Sequence, residues 1–220
     1  IWEGTKTSAL ISKLDKRLDG VISRLLKAGD VTGKAGTTLL IPLDDKNIQR
    51  LLLVGAGPTE KFNSAGLKIL VQSAASVLKD GASQNCLFCL ADLPVATPVL
   101  PPQEALQQAI IAFDDMFYRF DQFKSEVEPA SKLTDCDLFI SASELEAKTA
   151  KLATSTASAI AKGIRVAKDL GNLPGNVCTP TYLADYAQKL AAQHNEMSVE
   201  ILDEAQMEKL GMGSLLSVSR

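Results

Sequence analysis

The sequence predicts an α/β protein in two unequal parts joined by a long helix, and three observations lead there. Apolar runs of strand length alternate with segments of helical period along the first 142 residues. One stretch, residues 143–170, repeats an apolar face at spacings of three and four for much longer than an ordinary helix. From residue 171 the alternation starts again. The expected division is 1–142, 143–170 and 171–220.

In chain order, Leu10, Leu14, Leu18, Val21 and Leu25 keep the 3.6-residue period and predict one helix from about Ser8 to Lys27, ended by Gly29. "TTLLIPL" (37–43) and "RLLLVGAG" (50–57) read as strands, the second so apolar that a central place in its sheet is expected. A helix at 64–79, a strand around Cys86, a helix at 103–117 and a strand at "CDLFIS" (136–141) follow. Ser143 with Glu146 forms a capping pair for the long helix, Gly171 and Pro174 stop it, and its length marks it as a connector. Thr179 and Pro180 then open another helix, "MSVEIL" (197–202) reads as a strand, Asp203 with Gln206 caps a short helix, and "SLLSVS" looks like a strand beginning. The chain is expected to stop inside a second α/β domain.

Composition narrows the function classes. With 46% hydrophobic residues the chain has ample material for a core. A formal net charge of -3 gives no general electrostatic reason to expect nucleic acid or a membrane as partner. No window approaches the apolar length of a spanning helix. Four scattered cysteines, without the density of a disulfide scaffold, point to a reducing compartment, hence a cytoplasmic location.

Several stretches carry candidate chemistry. Cys86 and Cys89 form a CxxC, but on a strand positions i and i+3 face opposite ways, so two buried core thiols are expected instead of a metal or redox pair. Gly55-Ala56-Gly57 opens like a dinucleotide fingerprint, yet Glu60 stands where the third glycine belongs. Gly33-Lys34-Ala35-Gly36 lacks the spacing of a phosphate loop and reads as a turn. Asp44-Asp45 and Asp114-Asp115 are read as solvated, His194 as a surface residue near a helix end, and Cys178 as part of a turn and not a nucleophile. No catalytic, metal-binding or cofactor-binding residue is assigned within the chain.

"KDLGNLPGNVCTPTYLAD" (168–185) and "VEILDEAQMEKLGMGSLLSVSR" (199–220), with "GDVTGKAGTTLLIPL", "RLLLVGAGPTEKF" and "YRFDQFKS" before them, resemble the leucyl aminopeptidase family, the two-metal cytosol aminopeptidases. The resemblance runs along essentially the whole chain in order. It implies a macro-like amino-terminal α/β domain, a connector helix and the start of a catalytic α/β domain. It further implies a hexamer of identical subunits that removes amino-terminal residues from peptides with two divalent ions, manganese or zinc. The family's "VGKGxTFDxGG" and "NTDAEGRL" segments, which hold its metal ligands and catalytic lysine and arginine, do not occur here, so the chain alone is expected to be inactive and to hold no metal. Pro174-Gly175 replaces the family's usual two prolines, a change between two turn formers. The other readings are a nucleotide- or DNA-binding regulatory module, since DNA is a partner of some relatives, and a structural assembly domain.

Overall fold

A computed structural model describes residues 1–4, 7–91, 100–140 and 145–218. The chain divides into two compact units, Ile1–Ala167 and Lys168–Arg220.

In the first unit the segment expected as one helix is two: α1 (Ala9–Arg17) and α2 (Val21–Ala28). Asp19 (φ 52°) and Gly20 (φ 75°) between them are left-handed, a conformation that ends a helix and that glycine adopts without steric cost. The Asp15 carboxylate accepts from the amides of Ile22 (2.8 Å) and Ser23 (3.1 Å), so a residue of the first helix satisfies the open end of the second. Apolar spacing is preserved across the break, which explains why periodicity alone reads it as continuous.

β1 (Thr38–Pro42) and β2 (Arg50–Val54) pair antiparallel, while β3 (Asn85–Cys89) and β4 (Asp135–Phe139) pair parallel. Among the described residues these are two separate two-stranded sheets, so β2, expected to be central, has one strand neighbour there. Its far edge meets the start of the chain. The Ile1 amino group donates to the Val54 carbonyl (2.7 Å), Ala56 N–H to the Ile1 carbonyl (2.8 Å) and Glu3 N–H to the Gly57 carbonyl (3.0 Å), around a parallel bridge between Trp2 and Gly57.

α3 (Ser64–Lys79) is capped by Asn63, whose side chain accepts from Ala65 and Gly66 N–H. It packs against α4 (Pro102–Met116), with Leu67, Leu70, Val71, Leu106 and Ala109 in the main core. A smaller cluster gathers Ile22, Val31 and Leu53.

α5 spans Ala147–Asn172, about 39 Å at 1.5 Å per residue. Its first bond runs from Ala150 N–H to the Glu146 carbonyl, while Ser143, the expected cap, lies outside the described residues. Gly171, expected beyond the end, sits inside the last turn. Ala153, Ala157 and Ala161 are buried along one face, and Ala153 belongs to the main core.

In the second unit α6 (Pro180–Ala192) and α7 (Glu204–Lys209) form as expected, α7 with a complete capping box between Asp203 and Gln206. Two expectations fail here. Residues 197–202 form no ladder, and Met197, Val199 and Ile201, alternate positions that a strand would bury together, are all exposed. "SLLSVS" is helical: α8 covers Gly213–Val218 and buries Leu216. A short apolar run carries too little period to tell helix from strand.

Candidate functional site

The turn after α5 is built from backbone. Val177 and Cys178 N–H both donate to the Pro174 carbonyl (2.8 and 2.9 Å), and the Thr179 hydroxyl accepts from Tyr182 N–H (3.2 Å), with Pro180 at the first helical position. A Cβ at Gly175 would enter open space, so no close approach of other atoms requires glycine there. His194 is exposed in the turn after α6, with its backbone N–H on the Ala191 carbonyl (3.1 Å).

The two glycine stretches, separate in sequence, form one structure. Gly36 N–H donates to the Gly55 carbonyl (3.0 Å) and Gly57 N–H to the Gly33 carbonyl (2.9 Å). A Cβ on Gly55 would strike the Lys34 carbonyl, and one on Gly33 the Trp2 backbone, where φ is also +74°. These glycines permit backbone to approach backbone, and the amides of Gly36, Gly57 and Gly55 are spent on the carbonyls of Gly55, Gly33 and Thr37 instead of facing a phosphate.

The acidic pairs are less solvated than expected. Asp114 is half-buried and takes a two-pronged contact from Arg165 of α5, with Nε and Nη2 each 2.7 Å from a carboxylate oxygen. Asp45 accepts from Asn47 and Ile48 N–H (2.7 and 2.9 Å) and lies 3.3 Å from Arg17, while Asp44 is exposed. The amides of Asn47 and Ile48, with Arg17 beside them, hold the Asp45 carboxyl below its ordinary pKa. These carboxylates have structural partners.

The CxxC separates as the strand geometry requires, but the thiols are not both buried: Cys86 is half-buried and Cys89 exposed. β3 is short and its outward face is uncovered, Leu87 included. Cys86 stands opposite Cys136 in the parallel register, a partnership the sequence did not signal because fifty residues separate them. The hydrogen bond from Cys136 pulls the Cys86 thiol below its ordinary value, and the same bond, with burial, pushes Cys136 up. One proton held between two sulfurs accounts for both directions.

Among the described residues no group of three or more His, Cys, Asp or Glu converges as a metal site. A pair of divalent ions needs several converging carboxylates, so the donor set described here does not fit one.

Residues 1–127 match the model of the cytosol aminopeptidase family, N-terminal domain, and residues 165–220 that of the cytosol aminopeptidase family, catalytic domain. The chain belongs to the cytosol aminopeptidase family. A probable cytosol aminopeptidase of Nitrosococcus oceani is 37% identical over 229 residues, and one of Burkholderia multivorans 40% over 221. Each comparison covers all of this chain but only 44% and 43% of those proteins, so the chain spans less than half the length of its curated relatives. A mutant tomato leucine aminopeptidase superposes with a TM-score of 0.77 at 25% identity, over 96% of this chain and 40% of that one. The bottromycin maturation enzyme BotP, also solved in complex with Mn, shares the fold at 20% identity and a TM-score of 0.69, over 99% of this chain and 41% of that one. Among the described residues no helix is long and apolar enough to cross a membrane.

Proposed function

We propose that the longer protein containing this chain is a metal-dependent leucyl-type aminopeptidase that removes amino-terminal residues from peptides. The observation that carries the reading is the order of the two family matches, an amino-terminal domain at 1–127 followed by catalytic-domain sequence at 165–220. In this reading residues 1–142 are the macro-like amino-terminal domain, 143–170 the connector and 171–220 the first part of the catalytic domain. Two divalent ions, manganese or zinc, are held by residues outside this chain, and the protein works in the cytoplasm as a homo-hexamer. The described residues bind no ion in this account and do not enter the chemistry. Their contribution is a folded base for the catalytic half.

The test compares the longer protein with a polypeptide ending at Arg220, both assayed on leucine anilide with manganese or zinc. Turnover is expected from the first and none from the second. Metal-dependent turnover by the shorter polypeptide would overturn the assignment of the chemistry to the missing half.

A further inference from the structure

β3 and β4 place two thiols side by side, since Cys86 and Cys136 are register partners in the parallel pair. Exposure alternates along both strands, and Cys86 with Phe88 on β3 and Cys136 with Leu138 on β4 hold the less exposed positions. Phe88 and Leu138 pack against the main core, so the two thiols leave the same inward face of the sheet at the same level. Cys89, three residues along β3, leaves the opposite face and is exposed. Neighbouring strands lie about 4.8 Å apart, which falls inside the Cα separation of about 4.4–6.8 Å over which a disulfide closes. Both thiols are half-buried and keep some contact with solvent.

We propose that Cys86 and Cys136 are a redox-modification site, at which hydrogen peroxide oxidises the pair to a disulfide across β3 and β4 and small thiols reverse the change. The roles within the pair follow from their hydrogen bond. Cys136 shares its proton with the Cys86 sulfur, which holds Cys86 below its ordinary pKa against the opposing effects of burial and Asp137 and makes it the attacking thiolate. That sulfur takes one peroxide oxygen as the O–O bond breaks, hydroxide leaves, and Cys86 carries a sulfenic acid. The Cys136 sulfur then attacks the Cys86 sulfur, the S–O bond breaks, and the oxygen leaves as water with the Cys136 proton. In sum two thiols give two electrons and two protons to one peroxide, which becomes two waters. The Cβ atoms of a relaxed disulfide stand about 3.8 Å apart, closer than the strands, so the bond must draw the strands together and is of the strained, easily reduced kind. It closes residues 86–136 into a ring that contains α4, whose Asp114 holds Arg165 of α5. Oxidation thus adds a covalent tie beneath the helix that anchors α5.

The test treats the longer protein with hydrogen peroxide, blocks the remaining thiols, and maps its tryptic fragments by mass without reduction. Cys86 and Cys89 fall on fragment 80–119 and Cys136 on fragment 133–148. The two fragments are expected joined, lighter than their sum by two hydrogens, in the parent and in Cys89→Ser, and separate in Cys86→Ser. Fragments that stay separate in the parent, a join lost in Cys89→Ser, or one that persists in Cys86→Ser would each overturn the proposal. Cys136→Ser should leave Cys86 as a sulfenic acid that dimedone traps; trapping at Cys136 in Cys86→Ser, with none at Cys86 in Cys136→Ser, overturns the order of attack. Excess reduced glutathione should restore both thiols, and a bond that survives it is a permanent cross-link, which overturns the site as a reversible one.

Discussion

Ala153 decides whether α5 is docked on the first unit or stands clear of it. Its side chain is fully buried in the cluster that holds Leu67, Val71 and Leu106, while neighbouring Leu152 is 60% exposed. Ala153→Leu adds three carbons to a filled site, and overpacking of that kind costs about 1–3 kcal/mol. For a chain of this size that is a fall of roughly 2–12 °C in the unfolding midpoint. Leu152→Ala, on the open face, should change stability by no more than about 0.5 kcal/mol. Trp2 is the single tryptophan of the chain, and it meets Phe62 edge-on with ring centroids 5.0 Å apart at the margin of the same cluster. Its fluorescence therefore follows this core during thermal unfolding. Equal midpoints for Ala153→Leu and Leu152→Ala would refute the docking, and would make α5 a free connector over its whole length.

Gly55→Ala should cost roughly 2 kcal/mol or more, because the Lys34 carbonyl occupies the place of the new methyl group; chemical denaturation followed at Trp2 measures it. Thr179→Ala should cost about 1 kcal/mol through the lost cap of α6, read as faster amide exchange in the first turn of that helix. Burial pushes the Asp15 carboxyl up, but the hydroxyl and amide of Ser23, the Ile22 amide and Arg24 outweigh it and hold the pKa below 3.8. A lowered folded-state pKa stabilises the fold above the unfolded value and loses that effect as pH falls through the folded one. Asp15→Asn should therefore flatten the loss of stability below about pH 4, measured as unfolding midpoint against pH.

The order of elements in the first unit was legible because each apolar run is bounded by glycine, proline or a capping residue. β1, β4, α3 and α4 lie within two residues of where the pattern puts them, β3 includes Cys86 as expected, and β2 begins where expected but ends three residues early, at Val54. The failures share a different cause. The break at Asp19-Gly20 keeps its apolar spacing, and residues 197–202 have the alternation of a strand but no neighbour to pair with among the described residues of their unit. A strand is a relation between two segments, and one segment's pattern states half of it. The same holds for Cys86 with Cys136 and Asp114 with Arg165, whose partners are set by register and helix docking and not by local spacing. The family matches rest on the whole succession of segments, which is why the family was readable while these contacts were not.

The connection between α4 and β4 has a simple clasp. Arg119 donates from Nη1 to the Pro129 carbonyl (2.8 Å) and from Nη2 to the Glu128 carbonyl (2.6 Å), and Asp121 lies 3.0 Å from both Arg119 and Lys124. One guanidinium thus joins the two ends of the segment 119–129 into a ring closed without a covalent bond. Phe123 and Val127 stand exposed on that ring, within reach of a protease. A single cut between Ser125 and Glu126 would sever the chain yet leave the cut ends held together by Arg119 and the two fragments by the core that Leu106 and Ala153 share, so a nicked protein would still migrate as one particle until denaturant unfolds that core.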